Sequence, residues 1–426
     1  MKRLRPIDPK TYLEDCLALA NTVLADYRSP AEVLEAKDEI NAYPGLKSLI
    51  DPQSIRVLEP MPSLKDLGLR SLLDGLILWE HPAAGEATRL GLGPKFFLRP
   101  RDLAEIIGQV EAWAHLKPIS LGLRHLLEPL AEIINLAEQY GLDPQKVIKK
   151  QTFLLIGAAD HLEAMRREAV SALSKVMPLE NIWLMAQSSF HGLNKSPGQK
   201  WAFDPSSPKR LHNHGHMIMQ KTMDNQIYRL DDSGQAHYFS RQEFFHRLAN
   251  FVDLISNNIE DLDYLNKAIE EYALGLAVRL GRSGFGMMME ITLNNQHNPI
   301  KGGMCAHDPS LARDVVIESF NLKNVLPRDI KFLNANMNHY LNPVQVLTQL
   351  QESGLPMPVT VQDDRLYFTP VQGDLNFLVK TAFFTRHQDK QLNSLKYPSD
   401  IPSALSAMAL QDQNPRFMAL VDKALG

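Results

Sequence analysis

The chain has 426 residues, of which 44% are hydrophobic and 22% charged, and its 45 basic and 49 acidic residues give a net charge of −4. This composition indicates a globular protein with a large core, without the basic excess typical of nucleic-acid-binding proteins. Two cysteines, Cys16 and Cys305, make neither a disulfide framework nor a zinc site, which indicates a reducing compartment. No secretory signal and no apolar run of about 18 residues is visible. We therefore expect a cytoplasmic protein with no nucleic-acid or membrane partner.

The N-terminal segment, residues 1–73, has the pattern of a helical region. Asp8 precedes Pro9, and Ser29 precedes Pro30, which are two signals for a helix start: a capping side chain followed by proline at the first helical position. Apolar residues follow the first signal at helical spacing. We expect this segment to be a helical cap with no chemistry of its own.

Residues 74–402 alternate short apolar runs with longer helical patterns. The predicted strands are residues 76–79, 152–157, 181–186, 251–256, 287–293 and 330–335. The clearest predicted helices are residues 121–140 and 161–176. This alternation predicts an α/β domain whose sheet is mixed but mainly parallel, with helices on both faces, and such sheets bind ligands beyond the carboxyl ends of their strands. Residues 188–207 and 224–235 are predicted surface loops, and residues 403–426 a short C-terminal helical tail.

The segment WEHPAAGEATRLGLGPKFFL, residues 79–98, follows the first predicted strand. Small residues such as Ala84 and Gly85 let main-chain N–H groups approach a phosphate closely. Arg89 is able to pair two phosphate oxygens at once, and Lys95 adds a mobile charge. The alternative is an ordinary strand-to-helix turn with both cations solvated.

AAGEATRLGLGPK resembles the signature loop of the uridylyltransferases that make UDP-sugars, namely UTP–glucose-1-phosphate uridylyltransferase and UDP-N-acetylhexosamine pyrophosphorylase. Further segments between residues 69 and 401 resemble motifs of this family in the family's order. They are LLIGAADHLEAM, WLMAQSSF, NHGHM, SNNIEDL, IKGGMCAHD, KFLNANMNHYL and LKYPSDI. The resemblance implies a Rossmann-like nucleotidyltransferase sheet.

The resemblance also implies a reaction and a set of roles. A sugar-1-phosphate oxygen attacks the α-phosphorus of UTP, pyrophosphate leaves, and positioned cations rather than a general base stabilise the transition state. The implied catalytic cations are Arg89, Lys95 and Lys396. The implied nucleotide-binding residues are Ala84, Gly85, Thr88, Gln187, Asn213 and Gly215. The implied sugar-phosphate-binding residues are His214, Asn258, Gly303, Asn334 and Asn336. The implied ligands of the cofactor Mg²⁺ are Glu260 and Asp261.

The sequence departs from the family pattern at several of these positions. Ala84 and Ala87 replace loop glycines, His216 replaces an aspartate, and Glu260 stands where the family has its metal-binding aspartate. These changes motivate an alternative, a catalytically impaired relative that binds a nucleotide or a protein partner. A second alternative is a glycosyltransferase that uses a UDP-sugar.

Blander interpretations of single residues stay open. Lys396 has the setting of an exposed lysine before a turn, and Gln187 that of an ordinary strand end. Glu260 and Asp261 have the pattern of a solvated acidic helix start, and the strand asparagines that of turn caps. The identity of the sugar, the preference for uracil and the oligomeric state are not fixed by the sequence.

Overall fold

The computed structural model describes residues 3–5, 8–43, 45–211, 213–231, 233–297, 299–387 and 392–426, and in these ranges all side chains except those of Asn213 and Asn336. The helices are α1 Tyr12–Val23, α2 Pro30–Ile40, α3 Pro62–Leu73, α4 Pro100–Ile106, α5 Val110–Trp113, α6 Leu121–Gln139, α7 Pro144–Ile148, α8 Leu162–Leu173, α9 Asn213–Gln220, α10 Arg241–Leu248, α11 Glu271–Arg282, α12 Pro343–Ser353, α13 Ile401–Asp412 and α14 Pro415–Leu425.

The strands, in chain order, are β1 Arg3–Leu4, β2 Arg56–Val57, β3 Ile77–Pro82, β4 Thr152–Ala158, β5 Ile182–Gln187, β6 Ser189–Phe190, β7 Leu193–Asn194, β8 Ala202–Phe203, β9 Arg210–Leu211, β10 Ile227–Leu230, β11 Ala236–Tyr238, β12 Asp253–Asn257, β13 Met287–Leu293, β14 Gly303–Asp308, β15 Arg313–Glu318, β16 Phe332–Leu341, β17 Leu355–Pro356, β18 Val359–Gln362, β19 Arg365–Phe368 and β20 Thr381–Thr385.

A mixed sheet of twelve strands runs through the described part of the molecule, in the order β11-β10-β5-β4-β3-β12-β16-β13-β20-β2, with the β14–β15 hairpin attached to β16. Strands β5, β4, β3 and β12 run parallel to one another. Strand β16 is antiparallel to both of its neighbours, β12 and β13. The predicted α/β class with a mixed sheet is therefore confirmed.

Helices cover both faces of the sheet because successive strand residues point to opposite sides. In β3, Ile77 and Trp79 are buried in a core with α6, α8, α13 and α14. Leu78, between them, is buried in a second core with α1, α10 and α12. Strands buried on both faces are largely apolar, and this explains why their sequences were recognisable as short apolar runs.

The two predicted N-terminal helix starts had different outcomes. Helix α1 begins at Tyr12, later than predicted, because the Asp8 side chain instead accepts a hydrogen bond from the main-chain N–H of Lys10 at 2.9 Å. The cap of α2 is confirmed, since the Ser29 hydroxyl accepts from the N–H of Glu32 at 3.3 Å.

The predicted loop over residues 224–235 was wrong, because it contains β10, which pairs antiparallel with β5. In this strand the polar Arg229 interrupts a very short apolar pattern, so no run was visible. The predicted loop over residues 188–207 likewise contains the short strands β6, β7 and β8.

The C-terminal residues belong to the main core. Helices α13 and α14 pack beside α6, and the fully buried Arg124 of α6 pairs with Asp412 of α13, with Nη1 to Oδ1 at 2.7 Å. Among the described residues, no helix combines the length and the apolar character that crossing a bilayer requires.

Two carboxyl groups lie one turn apart inside the fold on α6. Glu128 accepts a hydrogen bond from Nε2 of Gln411 at 2.7 Å. Glu132 accepts from the main-chain N–H groups of Ala268 at 2.7 Å and Ile269 at 3.0 Å. Burial raises the pKa of both carboxyl groups, and the charge of Glu128 raises the pKa of Glu132 further. The folded chain therefore holds protons here that the unfolded chain releases.

We predict that this pair makes the free energy of unfolding fall as the pH rises from about 5 to about 8, because the native state binds more protons than the unfolded state in that range. Glu128→Gln removes one titrating group and the repulsion on Glu132. This variant should reduce the decrease in the free energy of unfolding between the two pH values by about 1–3 kcal/mol, at roughly 1.4 kcal/mol per pKa unit. Urea unfolding at the two pH values measures this, with the exposed Glu111→Gln as control. An unchanged pH dependence in Glu128→Gln would contradict the assignment.

Candidate functional site

The carboxyl ends of four parallel strands open into one cleft with a volume of about 990 Å³. Ala84 and Gly85 follow β3, Asp160 follows β4, Gln187 ends β5, and Glu260 lies just after β12; all of them line the cleft. This is the edge at which parallel α/β sheets bind ligands, since the loops that follow adjacent parallel strands meet there.

The loop after β3 closes on itself and leaves main-chain donors unused. The N–H of Lys95 donates to the carbonyl of Gly85 at 3.0 Å, and the N–H of Ala87 donates across the loop at 2.9 Å. Within the described part of the chain, the N–H groups of Ala84, Gly85 and Glu86 donate no hydrogen bond. Among the residues that the structure describes, apart from its two chain neighbours, no residue has an atom within 4 Å of the position that a Cβ on Gly85 would take. Successive unpaired N–H groups on an open loop suit an anion.

The alanine at position 87 does not obstruct this loop. Its side chain is buried in the core on the α6 side of the sheet, together with Leu90, and does not line the cleft. Its φ of −88° is ordinary for a residue with a side chain. Ala84 does lie on the cleft wall, where it is 4% exposed. The predicted nucleotide-binding Thr88 also lines the cleft.

Two lysines and one glutamate form the charged centre of the cleft. Nζ of Lys95 contacts Oε2 of Glu260, and Nζ of Lys396 lies 3.2 Å from Oε1 of the same carboxylate. Burial acts to raise the pKa of Glu260, but the charges of Lys396 and Lys95 outweigh it and hold the pKa below its ordinary value. Glu260 is therefore a firmly ionised counter-ion between two ammonium groups.

Main-chain pairing puts Lys396 opposite Glu260. The N–H of Leu395 donates to the carbonyl of Glu260 at 2.9 Å, so the two segments lie side by side. Tyr397 follows Lys396 in the chain, and the centre of its ring lies 5.1 Å from the guanidinium carbon of Arg89. The three predicted cations, Arg89, Lys95 and Lys396, therefore line one cleft together.

His214 lies at the start of α9 and lines the same cleft. Burial lowers the pKa of its imidazole; the Glu260 charge opposes that shift, and the charges of Lys396 and Lys95 add to it. The imidazole is therefore neutral at neutral pH and is available to donate or accept a hydrogen bond.

Gly215 and His216 serve packing behind His214. The N–H of Gly215 donates to the carbonyl of Pro370 at 2.9 Å, and a Cβ on Gly215 would lie 2.4 Å from the Pro370 carbonyl carbon. Gly215 does not line the cleft, unlike its neighbour His214. His216 is buried, with Nδ1 against the hydroxyl of Tyr12 in α1 and Nε2 3.3 Å from the carbonyl of Phe368. This departure from the family pattern fixes α1 to α9.

Three more of the predicted sugar-phosphate-binding residues line the same cleft as the cations. They are Asn258, Gly303 and Asn334. Asn334, in β16, lies close to Gly303 in β14, since a Cβ on Gly303 would be 3.4 Å from the Cβ of Asn334. Asn213 and Asn336 belong to α9 and β16, and their side chains lie outside the described part of the structure.

Sequence reasoning missed several contributors to the cleft, among them Glu318 and Lys37. Glu318 ends β15, forms no ion pair with any described residue, and has a pKa that burial raises to about 7. An acidic residue directly after an apolar run was the available signal, but that run was not recognised as a strand. Lys37 of α2 also lines the cleft, so the N-terminal helical segment does reach the site.

The geometry does not fit a resident Mg²⁺ at Glu260 and Asp261. Asp261 does not line the cleft, and its Oδ1 accepts the N–H of Asp263 at 3.0 Å. Both oxygens of Glu260 face ammonium groups, which would repel a divalent cation on that carboxylate. Nowhere in the described ranges do three or more His, Cys, Asp or Glu side chains form a group able to hold a metal ion. An ion that arrives with nucleotide phosphates needs few protein ligands.

The strand order and the loops at the carboxyl edge of the parallel strands define an α/β fold built on a mixed sheet. The fold is that of the UDP-sugar pyrophosphorylases. The structure superposes on a UDP-N-acetylglucosamine pyrophosphorylase from Trypanosoma brucei, solved with an inhibitor, with a TM-score of 0.62, 13% identity, and coverage of 91% of this chain and 79% of that one. No sequence profile of a protein family matches the chain, and a sequence search of curated proteins gave no match.

Two further solved structures have the same fold. A UDP-glucose pyrophosphorylase variant from Leishmania major, with UDP-glucose bound, gives a TM-score of 0.53 at 13% identity, over 91% of this chain and 77% of that chain. A UDP-glucose phosphorylase from Trypanosoma brucei gives 0.53 at 14% identity, over 92% and 78%.

We predict that Gly215→Ala lowers the free energy of unfolding by about 1–3 kcal/mol, because the added methyl group forces apart the main chains around Pro370. The cost should be measured by urea unfolding. Gly93→Ala is the matched control, since a Cβ there would have no atom of a described residue within 4 Å, its chain neighbours apart. Equal stability of the two variants would show that the close approach at Gly215 is wrong.

Proposed function

We propose that this chain is a uridylyltransferase that joins UTP and a sugar-1-phosphate to give a UDP-sugar and pyrophosphate. The observation that carries the proposal is the meeting of Arg89, Lys95 and Lys396 with the open loop at residues 84–86 in one cleft. The fold shared with UDP-sugar pyrophosphorylases supports it.

The charge of the cleft supports polyanionic substrates. Among the described residues, seven lysines and arginines line it against four aspartates and glutamates, although the whole chain has a net charge of −4. The cationic residues are Lys37, Arg89, Lys95, Lys209, Arg210, Lys301 and Lys396. A local positive field in an acidic protein raises the concentration of anionic ligands at that place.

The proposed reaction forms a bond between a sugar-phosphate oxygen and the α-phosphorus of UTP, and breaks the bond from that phosphorus to the β-phosphate bridging oxygen. Arg89 and the loop N–H groups bind the leaving pyrophosphate. Lys95 and Lys396 flank the transferring phosphate and offset its growing charge. The attacking oxygen is already anionic, so no general base is needed. Mg²⁺ bound to the nucleotide would supply further positive charge to the phosphates.

The remaining residues are assigned either to the uracil of UTP or to the sugar-1-phosphate. The Gln187 side-chain amide has the donor and the acceptor that a uracil edge requires. His214, as a neutral imidazole, donates a hydrogen bond to the sugar phosphate. Asn258, Gly303 and Asn334 contact sugar hydroxyls in this proposal. The assignments of Asn213 and Asn336 stay predictions.

The glycosyltransferase alternative has little support in the geometry. Such an enzyme normally binds its metal ion through an Asp-x-Asp motif. The residues with that spacing are Asp261 and Asp263, and neither of them lines the cleft. Oδ1 of Asp263 instead accepts a hydrogen bond from Asn393 at 2.8 Å.

We expect the protein to release pyrophosphate from UTP in the presence of Mg²⁺ and at least one member of a panel of sugar-1-phosphates. Replacing UTP by CTP, GTP or ATP should lower kcat/KM, because the Gln187 amide is then paired with the wrong base edge. A coupled phosphate assay measures the release. If UTP binds but no sugar-1-phosphate is turned over, the impaired-relative alternative replaces the proposal.

Arg89→Ala and Lys95→Ala should each lower the rate by at least about 100-fold, the scale of removing one transition-state charge contact. Arg101→Ala, which removes a cation from an exposed ion pair outside the cleft, is the matched control and should keep the full rate. Steady-state kinetics with the best sugar-1-phosphate provide the test. Full activity in both cleft variants would remove the phosphate-loop assignment.

A further inference from the structure

We propose that Glu260 is a positioning residue that holds the ammonium groups of Lys95 and Lys396 on either side of the place of the transferring phosphate, and that it yields both lysines to that phosphate. In this account Glu260 is not the ligand of a resident divalent cation. The inference rests on the proposed function and adds a role that none of the sequence motifs implies.

The contacts of the carboxylate carry the first step. Each oxygen of Glu260 meets a different ammonium group, so one side chain sets the spacing of both lysines. The Lys95, Glu260 and Lys396 side chains are only 11%, 12% and 22% exposed. Lysine side chains have much conformational freedom, and a counter-ion that fixes both of them sets the positions of their ammonium groups for the reaction.

Comparison with a second ion pair shows why this one is suited to exchange. Lys221 and Glu80 also pair, but they are 1% and 0% exposed and do not line the cleft, so no ligand has access to them. Lys95, Glu260 and Lys396 all line the cleft. The phosphate chain of a nucleotide carries several negative charges and offers more acceptor oxygens than one carboxylate, so it competes for the same lysines.

A main-chain hydrogen bond keeps the Glu260 carboxylate near Lys396 after the lysines have moved to the phosphate. The main-chain carbonyl of Glu260 accepts from the N–H of Leu395, next to Lys396, so the segments stay paired whether or not the side chains do. The lysines therefore return to Glu260 when the product leaves, and they are never left as two buried, unpaired cations, which would be costly.

The test is Glu260→Gln, studied by calorimetry with inorganic pyrophosphate in EDTA and by kinetics with UTP. Because the competing anion is gone, pyrophosphate should bind about 3- to 10-fold more tightly, as expected from removing a nearby like charge. Because the lysines lose their common anchor, kcat should fall by at least about 10-fold. Weaker pyrophosphate binding, or an unchanged kcat, would overturn the proposal.

Mn²⁺ binding to the nucleotide-free protein gives an independent readout. Wild type and Glu260→Gln should bind Mn²⁺ equally weakly. Tight binding by wild type that is lost in Glu260→Gln would make Glu260 a metal ligand and overturn the proposal. Glu138→Gln, which breaks an exposed ion pair with Arg416, is the control for the loss of one charge. Thermal unfolding of each variant checks its fold.

A second variant, Glu260→Asp, keeps the charge but shortens the side chain by one methylene. It should bind pyrophosphate in EDTA within about threefold of wild type, because the competing anion is still present, and it should lose kcat because one carboxylate no longer reaches both lysines. Undiminished kcat would contradict the positioning role. Failure of the proposed function is a different outcome, namely no turnover by wild type, and it leaves the pyrophosphate and Mn²⁺ measurements interpretable.

Discussion

The parallel register of β5, β4, β3 and β12 is the constraint on which the site depends. Each strand pairs in line with its neighbour, so the chain leaves all four at the same edge of the sheet. A slip of one residue in β3 would exchange the core faces of Ile77 and Leu78 and would turn its exit loop away from the cleft. The two cores on opposite faces therefore fix the position of the loop that carries Arg89 and Lys95.

The fold contains two buried or partly buried sets of lysine–glutamate ion pairs that differ in their access to the cleft. The Glu80–Lys221 pair is fully buried and does not line the cleft, whereas the two lysines paired with Glu260 do line it. The same chain thus uses one type of ion pair for two purposes, distinguished by access rather than by residue type. The charges of Glu260, Lys95 and Lys396 all act on the pKa of His214, so a change in the charge of any of them alters the pKa of the imidazole.

The sequence predicted the parts of the fold whose pattern is local. Strand β13 has the bounds that its largely apolar run predicted, because a strand buried on both faces has few polar residues. Strand β10 was missed because Arg229 interrupts it, and Glu318 was missed with its strand. The Glu260–Lys396 pairing depends on a contact between distant segments, which no periodicity reveals. His216 looked like a defect in a motif until its partner Tyr12, 204 positions away, was known.

The central claim is that the phosphates of a nucleotide rest on the open loop after β3, between Lys95 and Lys396. A crystal structure with a non-hydrolysable UTP analogue tests it most directly. The account predicts phosphate oxygens against the N–H groups of residues 84–86 and within hydrogen-bond distance of both lysine Nζ atoms. A triphosphate bound elsewhere, with both lysines still on Glu260, would contradict it.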